Sequence, residues 1–440
     1  MPFRALIINP WVTDFKLYDE WMHPIGLYFL IAMLRQNGAA VRYINCLGRQ
    51  QGCAVKPHGT GVFESRPFPK PPLYRELKRF YKLYGIAEEA LLQQLLSLPA
   101  PDAVFVGSSM TYWLPGLQET VRVLRRVFPG TPVIAGGTSA MLMPLAVKAA
   151  LPGAHVFAGS VFDQAAIRNS AIPHFSSLKA LAPGASLLPA LELLTHAFHG
   201  PALASLGCPL RCSYCASGFL HPGYARRPID VVVKELASLQ DQFGVTNFAW
   251  YDDALLNNQG VHFLSLAAAL ASAGVRATFH APNGLHVRWL TRRVLDAMRN
   301  SGFATLRFGY ESGHAAFSSD TGAKVTRKEL AQKTALAREA GFAGTSIGVY
   351  VMAGLAGQTP QQVAEELQFV ASLSVKAKPV FVSPVPATPL FERYVRTFPQ
   401  LERTPLFHND SFFITQLPGW DSNAVQRIID LAKAGNAGIA

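Results

Sequence analysis

The chain has 440 residues, half of them hydrophobic and only 15% charged, enough for roughly two or three domains with a sizeable buried core and unlike a disordered protein. Its five cysteines are too few and too clustered for a disulfide framework, which argues for a reducing compartment. The net charge of +12 is mostly dispersed and by itself neither requires nor identifies an acidic partner.

The start, Met1-Pro2-Phe3-Arg4-Ala5-Leu6-Ile7-Ile8, reads as a buried strand rather than a signal peptide. A helix is expected from Pro24 to Asn37, ended by Gly38, and a second strand from Val41 to Ile44. The longest apolar stretches, such as Ile25 to Leu34, are about 10 residues and fall short of the ~20 that span a bilayer. A cytoplasmic protein without a membrane span is therefore expected. Residues 49–72 are rich in Gly, Pro and basic side chains and suggest a long loop, followed by a helix over 73–98. The denser basic run of Lys70, Arg75, Lys78, Arg79 and Lys82 fits the solvated face of that helix better than a nucleic-acid patch.

A strand at Ala103 to Gly107, a helix at Gly116 to Phe128 and a strand at Val133 to Ala135 complete the first third. Strands alternating with helices imply a parallel sheet, whose ligands bind beyond the carboxyl ends of the strands. Ser108-Ser109 and Gly136-Gly137 fall at such ends, although paired glycines equally suit a tight turn. The expected division is an α/β domain over 1–170, a Pro- and Ala-rich linker over 171–200, a second α/β domain over 201–400 and a C-terminal extension over 401–440.

In the second domain strands are expected near 202–206, 246–251, 276–280, 305–309, 346–352 and 379–382, with helices at 228–243, 260–273, 290–301, 326–340 and 360–373. Six βα units suit a partial (β/α)6 barrel with its site at the C-terminal strand ends. Directly after the first of these strands comes Gly207-Cys208-Pro209-Leu210-Arg211-Cys212-Ser213-Tyr214-Cys215. Three thiolates on one short loop can converge on a metal centre. A zinc ion would want a fourth ligand, which His199 or His221 could supply. A cubane held by three cysteines instead leaves one iron open to an exogenous ligand.

The loop resembles the Cys-x3-Cys-x2-Cys signature of the radical S-adenosylmethionine (SAM) superfamily, with Tyr214 as the aromatic residue before the third cysteine. The resemblance implies a [4Fe–4S] cluster on Cys208, Cys212 and Cys215. Its open iron would chelate SAM, and an electron would release a 5′-deoxyadenosyl radical, with a reductase, flavodoxin or ferredoxin as donor. It also gives roles to other strand ends. Asp252 and Asp253, after Trp250-Tyr251, stand where polar groups usually face the SAM amino end, with helix capping as the alternative. Glu311, in Phe308-Gly309-Tyr310-Glu311-Ser312, resembles the acidic residue of the fourth strand, with capping or ion pairing as the alternative. Gly354-Leu355-Ala356-Gly357 resembles the fifth-strand turn with Ala356 for proline, and Ala387 stands where glycine is common after the sixth. His280, Asn283 and His286 could contact substrate or SAM, or be hydrogen-bonded within the fold.

A flavodoxin-like domain ahead of the cysteine loop resembles the cobalamin-binding class of radical SAM enzymes along most of the chain. Within the first domain this rests on Pro24-Ile25-Gly26-Leu27, Gly107-Ser108-Ser109-Met110-Thr111 and Ala135-Gly136-Gly137. The resemblance implies that Ser109, Gly136 and Gly137 line a bound cobalamin. It further implies a methyltransferase that uses one SAM to methylate the corrinoid and another to make the radical. Asp-x-His-x-x-Gly, the source of a lower-axial histidine in base-off cobalamin proteins, is absent, and Ile44-Asn45-Cys46-Leu47-Gly48 carries no histidine. The alternative is a radical SAM enzyme with a vestigial cobalamin domain and a non-methylating reaction. Cys46 and Cys53 read as small buried hydrophobes, and two thiols cannot hold a second three-cysteine cluster. That counts against tRNA methylthiotransferases and multi-cluster peptide-modifying enzymes, so nucleic acid is not the expected partner. No motif identifies the substrate.

Overall fold

The computed structural model describes residues 2–49, 55–169, 187–194, 197–322 and 325–439. They form two compact units, one of Met1–Leu193 with Gln400–His408 and the other of Leu194–Pro399 with Asn409–Ala440. Most of the expected linker and Cys53 lie outside the described residues. Residues 400–408 return to the first unit, which a boundary at 401 does not anticipate.

The first unit contains β1 (Arg4–Asn9), α1 (Ile25–Gln36), β2 (Ala40–Asn45), α2 (Glu88–Leu96), β3 (Ala103–Ser108), α3 (Leu114–Val127), β4 (Val133–Gly137) and β5 (His155–Val156). The strands pair in parallel in the order β5-β4-β3-β1-β2. Alternate residues fill opposite faces. Leu6, Ile8, Val104, Val106 and Val133 pack with Leu91, Leu95, Leu117 and Leu124 from α2 and α3. Ala5, Ile7, Phe105 and Ile134 pack with Leu30, Ile31 and Leu34 from α1. With both faces covered, these strands read as unbroken apolar runs. Chain order reverses between β1 and β3, which leaves the crevice of a doubly wound sheet at their carboxyl ends.

The helix expected over 73–98 is only its last third. Residues 72–74 form a single turn started by Pro72, and Lys82–Tyr84 is a strand between Val12–Asp14 and Ser65–Pro67. Tyr74 and Tyr81 pack edge-on against Phe15, and Gly85 takes φ +116° where a Cβ would meet the Cys46 carbonyl oxygen at 2.0 Å. Aromatic side packing and this glycine override the helical spacing. The basic run therefore does not lie on a helix face, and Lys70 Nζ donates to the Leu77 carbonyl at 2.6 Å. The returned segment docks through His408, which is fully buried. Its Nε2–H donates to the Leu401 carbonyl at 2.8 Å, so the Thr111 hydroxyl 2.8 Å away donates to Nδ1. Burial holds this imidazole neutral, pushing its pKa down to about 4.

In the second unit six strands follow one another in sequence and in space: β6 (Gly200–Ala202), β7 (Asn247–Trp250), β8 (Thr278–His280), β9 (Phe303–Glu311), β10 (Ile347–Ala353) and β11 (Lys376–Phe381). All pair in parallel. The crossover helices are α4 (Ile229–Asp241), α5 (Val261–Ser272), α6 (Arg292–Asn300), α7 (Arg327–Glu339) and α8 (Pro360–Ser372). Each lies within a few residues of its expected span, and capping threonines mark the starts of α6, α7 and α8. Thr326 with Glu329 and Thr359 with Gln362 form capping boxes on α7 and α8. After α9 (Pro389–Thr397), the final helix α10 (Ser422–Ala437) lies against α8 and β11. There the Asn436 side-chain amide accepts from Ala377 N at 2.8 Å and donates to Ala377 O at 2.9 Å. Among the described residues no helix is long and apolar enough to cross a membrane.

Candidate functional site

The cysteines occupy a loop whose two ends are zipped together. Ser205–Gly207, just beyond β6, pairs antiparallel with Tyr224–Arg226. Gly207 sits at φ +76°, where a Cβ would lie 2.2 Å from the Gly223 carbonyl oxygen, so only glycine fits. Behind the hairpin Arg227 is wholly buried, bonding the Leu203 carbonyl at 2.8 Å and Glu235 at 2.8 Å.

Within the loop Cys208 is half-buried, Cys212 buried and Cys215 exposed. Cys212 Sγ lies 3.9 Å from the Thr321 carbonyl oxygen, and a Cβ on Gly322 would approach that sulfur to 3.5 Å. Ser213 holds the middle of the loop. Its N–H donates to the Asp320 carbonyl at 3.0 Å, its hydroxyl to the Asp320 carboxylate at 2.9 Å, and its carbonyl accepts from Leu390 N at 2.8 Å. Arg393 pairs with the same carboxylate. The exit is set by Ser217, whose N–H points at Cys215 Sγ across 3.5 Å.

The two aspartates after β7 attach to this loop and cap no helix. Asp252 is buried and accepts from Ala204 N at 3.0 Å and Ser205 Oγ at 2.5 Å, while Asp253 accepts from Ser217 Oγ at 2.5 Å. Burial raises Asp252 to about 6 despite those donors. Glu311 ends β9 at φ +70°, just past a register shift against β10, and is buried. A non-glycine residue there costs about 1–2 kcal/mol and so marks an imposed geometry. Burial, then the Glu311 carboxylate and the nearby thiols, push the Tyr214 phenol well up. Tyr214 and Glu311 thus share one neighbourhood with the cysteines.

The later strand ends are fixed by their own bonds. Gln358 folds back on the Gly354–Gly357 turn, accepting from Gly354 N at 2.9 Å and Leu355 N at 3.1 Å. Ala387 adopts φ +62°, the glycine-like conformation expected of that position. His280 bonds Thr305 Oγ1 at 2.9 Å, Asn283 donates to the Tyr251 carbonyl at 2.8 Å, and the His286 ring stacks on Trp289 with centroids 4.4 Å apart. These three make contacts inside the fold.

In the first unit Ser108 Oγ donates to the Gly136 carbonyl at 2.7 Å and accepts from Ala140 N at 3.2 Å, tying the ends of β3 and β4. Ser109 and Gly137 are exposed and Gly136 is half-buried. Gly137 has φ +98°, and a Cβ there would meet the Ser108 carbonyl oxygen at 2.4 Å. At the end of β2, Asn45 bonds Asn9 and Leu47 N, and burial pushes the Cys46 thiol far up, which suits a structural role. Trp11 is core, its indole N–H donating to the Ile86 carbonyl at 2.8 Å. The loop into α1 carries His23-Pro24-Ile25-Gly26. His23 Nδ1 lies 3.2 Å from the Tyr28 hydroxyl. The His-x-x-Gly spacing was visible in sequence, masked because Trp21 stands where the motif has aspartate.

Among the described residues no three His, Cys, Asp or Glu side chains gather as a single ion requires. Zinc needs all its ligands about 2.0–2.3 Å from one point. A cubane takes one thiolate per iron at separate corners, so cysteines at different depths on one pinned loop, with a backbone N–H aimed at one sulfur, fit the cluster better.

The family model for the radical SAM superfamily matches residues 203–370. Cytidylyl-2-hydroxyethylphosphonate methyltransferase from Streptomyces wedmorensis is 30% identical over 115 residues, 26% of this chain and 21% of that protein. Bacteriochlorophyllide d C-12(1)-methyltransferase from Chlorobaculum tepidum is 28% identical over 116 residues, 26% of this chain and 24% of that protein. The chain thus matches less than a quarter of the length of these relatives. Among solved structures, the radical SAM methyltransferase TsrM from Kitasatospora setae aligns over 90% of this chain and 76% of its own, with TM-score 0.61 at 16% identity. The cobalamin-dependent radical SAM enzyme OxsB aligns over 92% of this chain and 56% of its own, with TM-score 0.55 at 11% identity. At these identities the likeness is one of fold.

Proposed function

Proceeding from a radical SAM domain over residues 203–370, we propose that this chain is a cobalamin-dependent radical SAM enzyme that methylates a substrate. The observation that carries the reading is the union, in one chain, of a three-cysteine loop after the first strand of a parallel sheet with a doubly wound sheet whose order switches between β1 and β3. When bound, the cluster and SAM supply the radical and the corrinoid supplies the methyl carrier.

The chain's own residues hold and orient. Cys208, Cys212 and Cys215 would hold the cluster by three of its irons. Tyr214 and Glu311 would lie beside the cluster, with Glu311 held on a left-handed backbone. In the first unit Gly136, Gly137 and Ser109 offer backbone and a small hydroxyl to a ligand lying over the ends of β3 and β4. Methyltransferase names among the sequence relatives support methyl transfer over other radical outcomes.

The test is anaerobic reconstitution of the full chain with iron, sulfide and hydroxocobalamin. Retained corrinoid absorbance, with formation of both 5′-deoxyadenosine and S-adenosylhomocysteine, supports the reading. A chain that cleaves SAM yet binds no corrinoid overturns the cobalamin half. Electron paramagnetic resonance of the cobalt(II) form adds a check on His23, since an imidazole nitrogen ligand splits the signal.

A further inference from the structure

The carboxylates after β7 make different bonds from those expected of groups facing SAM, and the difference assigns them work. Asp252 is buried with both oxygens spent on Ala204 N and Ser205 Oγ, so it anchors the strand that enters the cysteine loop. Asp253 is exposed and accepts from the Ser217 hydroxyl at 2.5 Å, and the Ser217 N–H faces Cys215 Sγ at 3.5 Å. One residue thus joins a carboxylate to a cluster ligand. Cys215 is also the most exposed of the three thiols, hence the one least protected by packing.

We infer that Asp253 and Ser217 are a positioning pair that sets the reduction potential of the cluster through Cys215. This rests on the cluster reading above. Two effects of opposite sign meet here. A hydrogen bond to a ligand sulfur withdraws charge and favours the reduced cluster, and a nearby carboxylate disfavours the added electron. Ser217 supplies the first, held in place by its hydroxyl, and Asp253 supplies the second. A merely structural anchor would have no reason to give opposite signs when its two halves are removed separately.

The experiment uses the full-length reconstituted protein without SAM, with iron and sulfide analysis and a redox titration followed by electron paramagnetic resonance. Asp253→Asn keeps an acceptor for the hydroxyl and removes the charge, so the midpoint potential rises. Ser217→Ala releases the N–H, so the potential falls, and Ser217→Thr, which keeps the hydroxyl, restores the wild-type value. If Asp253→Asn fails to load iron, the Ala and Thr variants decide by themselves. Full clusters with unchanged potentials in Asp253→Asn and Ser217→Ala, or shifts of one sign in both, overturn the inference and leave the cluster reading intact. A wild-type chain that takes up zinc and forms no cluster overturns both.

Discussion

The carboxyl ends of the two sheets are built on opposite principles. In the second unit the site is made of reactive side chains, and bonds from Asp252, Asp253, Asp320 and Arg393 restrain the loop that carries them. In the first unit the corresponding ends offer glycines, a serine and backbone, with side-chain bonds that tie strand to strand and to the segments that follow. A centre that breaks and makes bonds needs particular atoms held still. On the proposed reading the first unit is a cradle for a large preformed cofactor, which needs absence of side chains more than presence, in keeping with its individually weak motifs.

The sharpest way to break that contrast is to remove a thiol from each unit. Cys212→Ala should abolish cluster assembly, with iron falling below half of wild type and 5′-deoxyadenosine at background. Cys46→Ala should leave iron content unchanged and lower stability by about 1 kcal/mol, because it deletes a buried sulfur and nothing else. Equal loss of iron from both would end the distinction.

Next in size is the pH response of the clamp. Asp252 titrates at about 6 in the fold against 3.8 unperturbed, so the folded chain holds its proton more tightly than the unfolded chain does. The contribution is complete below the unfolded value and is lost as pH rises through about 6, amounting to roughly 3 kcal/mol. Asp252→Asn, uncharged throughout, should therefore gain stability relative to wild type between about pH 4 and pH 7 in denaturant titrations. A constant difference across that range would mean that the carboxylate stays ionised.

In the other unit Gly137→Ala should weaken corrinoid binding, because a Cβ 2.4 Å from the Ser108 carbonyl oxygen forces the end of β4 to shift, read as a raised Kd for hydroxocobalamin. Cluster iron should not change. The smallest effect is Ala387→Gly, which removes a left-handed alanine and should raise stability by up to about 1 kcal/mol, read as a shifted denaturation midpoint.

The same contrast governs what could be read from sequence. The six βα units were legible because four of the helices start on a capping threonine and most of the strands are compact apolar runs. The cysteine loop was legible because its spacing carries its chemistry. Residues 73–98 misled because the strand at Lys82–Tyr84 is dictated by partners 15 to 72 positions away, Ser65–Pro67 and Val12–Asp14. The bonds of Asp252 to Ser205 and of Asp320 to Ser213 join residues about 47 and 107 apart, beyond any local pattern.

The side-chain amide of Asn436 occupies both hydrogen-bonding groups of Ala377 on β11, an outer strand of an unclosed sheet. An exposed strand edge is a template on which a further strand, including one from another copy, can grow. On this edge one amide from the last helix takes both groups of Ala377 that an added strand would use, without closing the ring. Losing it would be felt first as self-association at high concentration, in a protein whose cysteine loop is untouched.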